Sequence, residues 1–365
     1  MTTLLKDIQF AVYHGANHVA QQASYALDRR LNKPSQVSLL ITDVCAARCT
    51  MCEMWKLQEN DELTIDEWKR VLDDLRGWLG PFFLVVSGGE PFQKRGFFDF
   101  LAHCRQIGIK TKVSSNGMFL TRKACERILE VGPDFLSLSI DHHTREVHDR
   151  IRGVPLFDRC VEAIAFLRGN DRGIVLGVAT VIMEETCHDL VATGQWALDT
   201  LGVDRVLYQP LYPTFATDES MDPQWFERNP HWPRDPDALR AEIERLREMK
   251  RAGRPVWNPD EHLVAMQHYF RDPASHPRPD ECMVRYNAFN IDPRGDVMFC
   301  WTVDDRAGNL RRQHPRDIWE SAQAQQIRDK MKGCKAPCLL NCYRGRSLVE
   351  QVGLFRLFAS RQGFG

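Results

Sequence analysis

The sequence reads as an α/β protein built on a parallel sheet, and three observations lead there. Six short apolar runs recur between residues 37 and 209. Amphipathic helical patterns separate them. The alternation stops near Pro213, beyond which the chain carries one strong helix and a cysteine-rich stretch. Strand–helix–strand units within one sheet are right-handed crossovers, so the strands run parallel and their C-terminal ends face one side. Periodicity does not distinguish an open sheet from a closed one. In both, loops and helix N-termini converge at the C-terminal ends, and chemistry is expected there.

In order along the chain, Leu5, Ile8, Val12 and Val19 recur at helical steps and give an opening helix, which Pro34 and Ser35 end. Val37 to Thr42 is the first strand. Phe82 to Val86 is a buried strand followed by a helix from Phe97 to Ile107. Strand Lys110 to Ser114 precedes helix Arg122 to Val131, and strand Phe135 to Ile140 precedes helix Phe157 to Leu167. Strand Ile174 to Ile182, helix Leu190 to Leu201 and strand Arg205 to Gln209 complete the alternation. Residues 214–281, rich in Pro, Trp and charge, read as a connector with one helix from Asp237 to Arg251. A small cysteine-bearing module follows at 282–345, then an amphipathic segment at 346–365. The division is therefore 1–34, a helical extension; 35–213, the core; and these three segments.

Composition narrows the classes. The chain of 365 residues has 48 Lys+Arg against 49 Asp+Glu, a net charge of −1, with 43% hydrophobic residues. That is too apolar for disorder and too neutral for bulk attraction to nucleic acid or anionic membrane. No run of 18 apolar residues offers a membrane span, and the N-terminus lacks a secretory pattern, so a cytoplasmic location is expected. The apolar faces of the opening helix and of Leu348 to Phe358 suit either packing over the core or peripheral contact with a lipid surface.

In that setting the 12 cysteines point to metal chemistry and ordinary packing, not to a disulfide framework. Cys45, Cys49 and Cys52 form C-x3-C-x2-C just past the first strand. Three clustered thiolates can hold three corners of a cubic iron–sulfur cluster and leave the fourth iron open to a small molecule. A structural zinc site would want a fourth ligand, and no neighbouring Cys or His supplies one. Cys282, Cys300, Cys334, Cys338 and Cys342 gather near the end. Cys104, Cys125, Cys160 and Cys187 stand singly in or beside helices, as small buried hydrophobes do.

Four further motifs end later strands: Ser87-Gly88-Gly89-Glu90-Pro91, Ser114-Ser115-Asn116-Gly117, Ser139-Ile140-Asp141, and Glu146, His148 and Asp149 leading to Ile151-Arg152-Gly153. With the cysteine trio, this set resembles the radical S-adenosylmethionine (SAM) superfamily. The resemblance implies a partial (β/α)6 TIM-like barrel. It also implies a [4Fe–4S] cluster on Cys45, Cys49 and Cys52 whose open iron chelates SAM. Gly88, Gly89 and Glu90 would hold the SAM amino group, and Ser139 and Arg152 its ribose or carboxylate. Asn116 would line the pocket, and the strand from Val206 to Pro210 would lie near the adenine. Met51 departs from the aromatic residue usual before the third cysteine; a thioether can fill that space, and Trp55 is near enough in sequence to help.

Cys282, Gly295 and Cys300 fit C-x(9–15)-G-x4-C, which resembles the opening of a SPASM/twitch module. Between the cysteines, Phe289 to Val297 reads as a β-hairpin turning at Arg294-Gly295. Two fully ligated auxiliary clusters need about eight thiolates. Five cysteines fit one auxiliary [4Fe–4S] cluster, four of the five being ligands; two clusters, one of them open to substrate, and a zinc site are the alternatives. The family reading is reductive cleavage of SAM to a 5′-deoxyadenosyl radical that takes hydrogen from an unactivated C–H bond. The substrate would be a small molecule, a lipid-like compound or a peptide. A flavodoxin or ferredoxin would supply the electron, and the auxiliary cluster would accept one from the substrate in a net oxidation. Redox-neutral epimerisation or C–C coupling is the alternative, with a thiol such as one of the single cysteines as hydrogen donor in the former. A non-catalytic metal scaffold is the alternative of another class. About 35 residues precede the barrel, which is short for a leader-peptide domain and weighs against a peptide.

Overall fold

The computed structural model describes residues 3–57, 61–170, 173–213, 222, 224–273, 282–303, 305–334, 336 and 338–339, with side chains from residue 15 onward. Cys342 and the segment 346–365 lie outside the described residues. A long helix, α1 (Thr3–Ala26), leads to β1 (Gln36–Leu40), α2 (Ile65–Leu79), β2 (Phe83–Ser87) and α3 (Phe97–Gln106). Then come β3 (Lys110–Ser115), α4 (Arg122–Val131), β4 (Phe135–Ser139), α5 (Arg145–Arg152) and α6 (Phe157–Gly169). β5 (Val175–Ile182), α7 (Leu190–Asp199) and β6 (Arg205–Pro210) end the alternation. After it lie α8 (Trp225–Arg228), α9 (Pro236–Arg251), α10 (Asp260–Tyr269), β7 (Ala288–Ile291), β8 (Asp296–Met298), β9 (Gly308–Asn309), α11 (Pro315–Glu320) and α12 (Ala322–Lys330).

Among the described residues one sheet of nine strands, ordered β6-β5-β4-β3-β2-β1-β7-β8-β9, spans the core and the module. β1 to β6 are parallel, as the crossovers require. The sequence separates the cysteine-bearing module from the core, yet the backbone joins them: β7 pairs parallel with β1, with Gln36 opposite Ala288 and Leu39 opposite Ile291. β8 returns antiparallel. Aromatic packing fixes the join, since Trp78 of α2 meets Phe289 at 6.0 Å and Trp319 at 6.4 Å between ring centroids. The Trp319 indole N–H donates to the carbonyl of Asn32 at 3.0 Å.

The other edge is covered too. Val206 N donates to Pro255 O and Trp257 N donates to Val206 O, on either side of the bridge at Val256. The Asn258 side chain then mimics a strand, accepting from Tyr208 N at 2.8 Å and donating to Tyr208 O at 2.7 Å. Exposed strand edges invite foreign pairing, and this one has been closed by the connector.

Six helices among the described residues, α2, α5, α8, α10, α11 and α12, were not read from the sequence. α2 has a full capping box, in which Thr64 accepts from Glu67 N and Glu67 reaches back to Thr64 N, and it buries Trp68, Val71, Leu72, Leu75 and Leu79 on one face. α5 carries the His148–Arg152 motif itself, and α10 packs on α9. No helix among the described residues is long and apolar enough to cross a membrane.

Candidate active site

A cavity of about 200 Å³ opens at the C-terminal ends of the parallel strands. Cys45, Cys49 and Cys52 line it from the loop after β1, and Gly88 and Gly89 from the loop after β2. Ser114, Ser115 and Asn116 face it from β3, Ser139 from β4, Arg152 from α5, and Gln209, Leu211 and Tyr212 from β6 and its exit. Met51, Met54 and Trp55 complete the wall.

The trio's loop is held by backbone bonds that explain the neighbouring motifs. Gly89 N donates to Thr42 O at 2.8 Å and Glu90 N to Val44 O at 2.9 Å. A Cβ on Gly88 would stand 2.4 Å from Thr42 O, and one on Gly89 2.2 Å from Val44 O. The paired glycines therefore let two loops touch, beyond any room they leave for a ligand. On the other flank Arg48 N donates to Arg152 O and Thr50 N to Ile151 O. Gly153, at φ +67°, lies where a Cβ would meet Arg48 O at 2.4 Å.

Two donors reach the thiols. Arg152 Nη1 lies 3.6 Å from Cys49 Sγ, and Asn116 Nδ2 lies 3.4 Å from Cys45 Sγ. The buried Arg152 also pairs with the fully buried Asp141 at 2.7 Å. Desolvation pushes the Cys45 thiol up to about 11, and burial raises Cys52 as well. Such thiols stay protonated until a metal takes them as thiolates. No disulfide joins the three.

Glu90 is placed differently from the sequence expectation. It is fully buried and does not line the cavity. Its carboxylate accepts from Ser115 Oγ and Asn116 N at 2.8 Å each and from Phe92 N at 3.1 Å. Two donors at the end of β3 and one in its own loop draw the side chain behind the pocket wall, where desolvation pushes its pKa up to about 7. The motif around His148 is likewise structural support. Asp141 N donates to His148 Nδ1 at 3.3 Å, and Asp149 Oδ1 accepts from Leu156 N and Phe157 N at the start of α6.

At the other end of the sheet, Cys282 lies just before β7, while Cys300 follows β8 back toward the N-terminal end of β1. Cys300 and Cys334 sense each other electrostatically, and burial raises the Cys300 thiol. The hairpin turns at Asp292-Pro293-Arg294-Gly295, with Gly295 at φ +85° and its N–H on Asp292 O at 3.0 Å. Arg294 bridges Asp292 at 2.7 Å and Asp43 at 2.8 Å, so the module's turn grips the residue two before Cys45. That contact, and Arg48 4.9 Å above the ring of Trp55, are features sequence reasoning did not locate.

Residues 39–197 match the radical SAM superfamily, and residues 282–343 match SPASM, an iron–sulfur cluster-binding domain. The chain belongs to the radical SAM superfamily. It is 27% identical over 326 residues to the AdoMet-dependent heme synthase of Methanosarcina barkeri, which covers 83% of this chain and 87% of that protein. It is 25% identical over 316 residues to the PqqA peptide cyclase of Bradyrhizobium diazoefficiens, across 84% of this chain and 78% of that one. Streptococcus suis SuiB bound to precursor peptide SuiA shares the fold, with a TM-score of 0.64 at 15% identity, over 84% of this chain and 70% of that chain.

A radical SAM domain binds a [4Fe–4S] cluster and SAM, and a SPASM domain binds auxiliary iron–sulfur clusters. The donor set around the cavity fits: three thiols from one loop, N–H donors on two of them, and a buried guanidinium to offset thiolate charge. Among the described residues, the ligand atoms of His142, His143 and Asp189 lie within 4.8 Å of one another. Thr144 N donates to His142 Nδ1 at 3.0 Å, which assigns the ring proton to Nε2, facing Asp189 at 3.3 Å. That tautomer offers a metal no lone pair, and the group is a hydrogen-bonded rim. The single cysteines Cys104, Cys125, Cys160 and Cys187 are all buried with raised pKa values, and none lines the cavity.

Proposed function

We propose that this radical SAM enzyme is an oxidoreductase that takes a hydrogen atom from an unactivated C–H bond of a small-molecule, lipid-like or peptide substrate. The observation that supports the reading is that Cys45, Cys49 and Cys52 line a cavity at one end of the sheet while Cys282 and Cys300 lie toward its other end. Bound there, the cluster and SAM supply a 5′-deoxyadenosyl radical once an electron arrives from a flavodoxin- or ferredoxin-type donor.

The chain's own residues then bind, orient and exclude water. Cys45, Cys49 and Cys52 are the ligands of the SAM cluster. Arg152 stands beside Cys49 and is suited to a carboxylate by its fork of donors. Ser139 and Asn116 offer hydrogen bonds to polar parts of SAM, and the backbone of Gly88 and Gly89 lies open to its amino group. Met51 and Trp55 supply polarizable and aromatic surface for a purine. Glu90 holds the end of β3 in place from behind. Leu211, Val181 and Ala179 keep the wall apolar, so a radical formed inside is shielded from solvent.

Four of Cys282, Cys300, Cys334, Cys338 and Cys342 would hold one auxiliary [4Fe–4S] cluster in this reading, which would supply a one-electron acceptor for a net oxidation. A reducing cytoplasm suits so many thiols. Anaerobic, reconstituted protein given SAM and strong reductant should form methionine and 5′-deoxyadenosine. With substrate, the product should be two electrons more oxidised by mass. Solvent deuterium in an otherwise unchanged product would instead establish epimerisation, and no SAM cleavage at all would leave only a metal scaffold.

A further inference from the structure

Three segments that carry auxiliary cysteines converge on one buried cation. Arg328, in α12, is 1% exposed. Its Nε donates to the carbonyl of Arg285, three residues past Cys282, at 3.0 Å, and its Nη2 donates to the carbonyl of Trp319 at 2.9 Å. The guanidinium lies 4.6 Å from the ring centroid of Phe299, which directly precedes Cys300, and 4.4 Å from that of Trp319. Cys334 follows six residues later in the chain.

No carboxylate among the described residues ion-pairs with Arg328. Arg285 is buried to the same degree but reaches Asp28 at 2.6 Å. A buried charge with no carboxylate in contact is costly: burial, then repulsion from Arg30, draws the Arg328 pKa down to about 10 against the weaker pull of Asp329. Three aromatic faces and two carbonyls soften that cost without supplying a negative charge.

A [4Fe–4S] cluster on four thiolates is an anion, and it carries one more negative charge reduced than oxidised. Nearby positive charge therefore favours the reduced form, and net charge is among the levers that set cluster potential. We propose that Arg328 is the counter-charge of the auxiliary cluster and raises its reduction potential, poising it to accept one electron. The proposal rests on Cys282 and Cys300 being auxiliary ligands. Arg328 acts here as a positioning charge and not as a catalytic residue.

The test is a potentiometric titration of the full chain, reconstituted anaerobically, with dithionite supplying electrons and EPR following each cluster. Arg328→Gln keeps donors for the two carbonyls and removes the charge; Arg328→Lys keeps the charge and loses the planar fork. The auxiliary potential should fall in Arg328→Gln and stay near wild type in Arg328→Lys, while the SAM cluster's potential moves in neither. An unchanged potential in Arg328→Gln overturns the proposal. So does an equal fall in both variants, which marks a packing role. An auxiliary signal that survives Cys300→Ala refutes the ligand assignment separately, and the proposal falls with it.

Discussion

Arg294→Ala is the perturbation whose consequence reaches furthest. Arg294 donates one charge-assisted hydrogen bond to Asp43 at 2.8 Å and one to Asp292 at 2.7 Å. Asp292 keeps other donors, the backbone N–H groups of Arg294 and Asp296, both at 2.9 Å. The Asp43 side chain, 4% exposed, keeps no other ion pair among the described residues. Breaking a fully buried pair costs about 3–5 kcal/mol. Arg294 is 23% exposed, so water replaces part of the interaction and the expected loss is about 2–3 kcal/mol. Asp43 is two residues from Cys45, and its backbone N–H also bonds Glu62 at 2.7 Å. The damage should therefore show at the SAM cluster before the auxiliary one. Urea denaturation should give the stability loss, and 5′-deoxyadenosine formation should drop by about 10- to 100-fold, as for a lost support behind a metal ligand, with the auxiliary EPR signal retained. A double-mutant cycle with Asp43→Asn separates the pair from its surroundings. Near-zero coupling, or a variant within 0.5 kcal/mol of wild type, would refute the idea that the module's turn braces the cysteine loop.

Other outcomes follow from the same geometry. Replacing Cys45, Cys49 and Cys52 together by Ala should remove about 4 of about 8 irons per chain and abolish SAM cleavage, whereas Cys300→Ala should spare the SAM cluster; iron analysis and EPR check both. Gly89→Ala forces a Cβ against Val44 O at 2.2 Å and should displace the cysteine loop, seen as loss of SAM cleavage in a protein that still folds by circular dichroism. His148 is held neutral by burial, its pKa lowered from 6.5 to about 3. Below pH 6.5 the unfolded chain gains a proton the folded chain refuses, so stability falls on acidification through that window. The contribution is about 1 kcal/mol between pH 7.5 and 5.5, and His148→Phe should shrink the wild-type difference measured by urea denaturation.

How much of this was legible depended on whether the signal was local. The parallel core is written in short-range periodicity. The cysteine trio needs only spacing, and Gly88-Gly89 only its place after a strand. α2 was legible in principle, because Thr64-x-x-Glu67 ahead of Trp68, Val71 and Leu72 is a capping box before an apolar stripe. Glu90 was not. Whether a carboxylate faces a cavity or the wall behind it depends on donors at Ser115, Asn116 and Phe92, on a neighbouring strand and on its own loop. The pairing of β7 with β1 and the Asp43–Arg294 contact join residues far apart in the chain, for which a single sequence carries no local mark.

That long-range pairing changes what the C-terminal module is. Were it a separate lobe, the auxiliary cysteines would be tied to the barrel only through a connector, and the distance between the two metal sites would vary with its motion. Instead β7 extends the core sheet in register with β1, the same strand that delivers Cys45 at its far end. A strand of this kind rises about 3.3 Å per residue, so the five residues of β1 act as a rigid spacer of about 16 Å between the region of Cys282 and Cys300 and the cavity. The turn between β7 and β8 then comes back to Asp43 at the cavity end. If the auxiliary cysteines hold an electron acceptor, as proposed, its separation from the cavity is set by backbone hydrogen bonds and not by domain docking. Substitutions that loosen the β1–β7 ladder should therefore uncouple substrate oxidation from SAM cleavage while leaving cleavage itself intact.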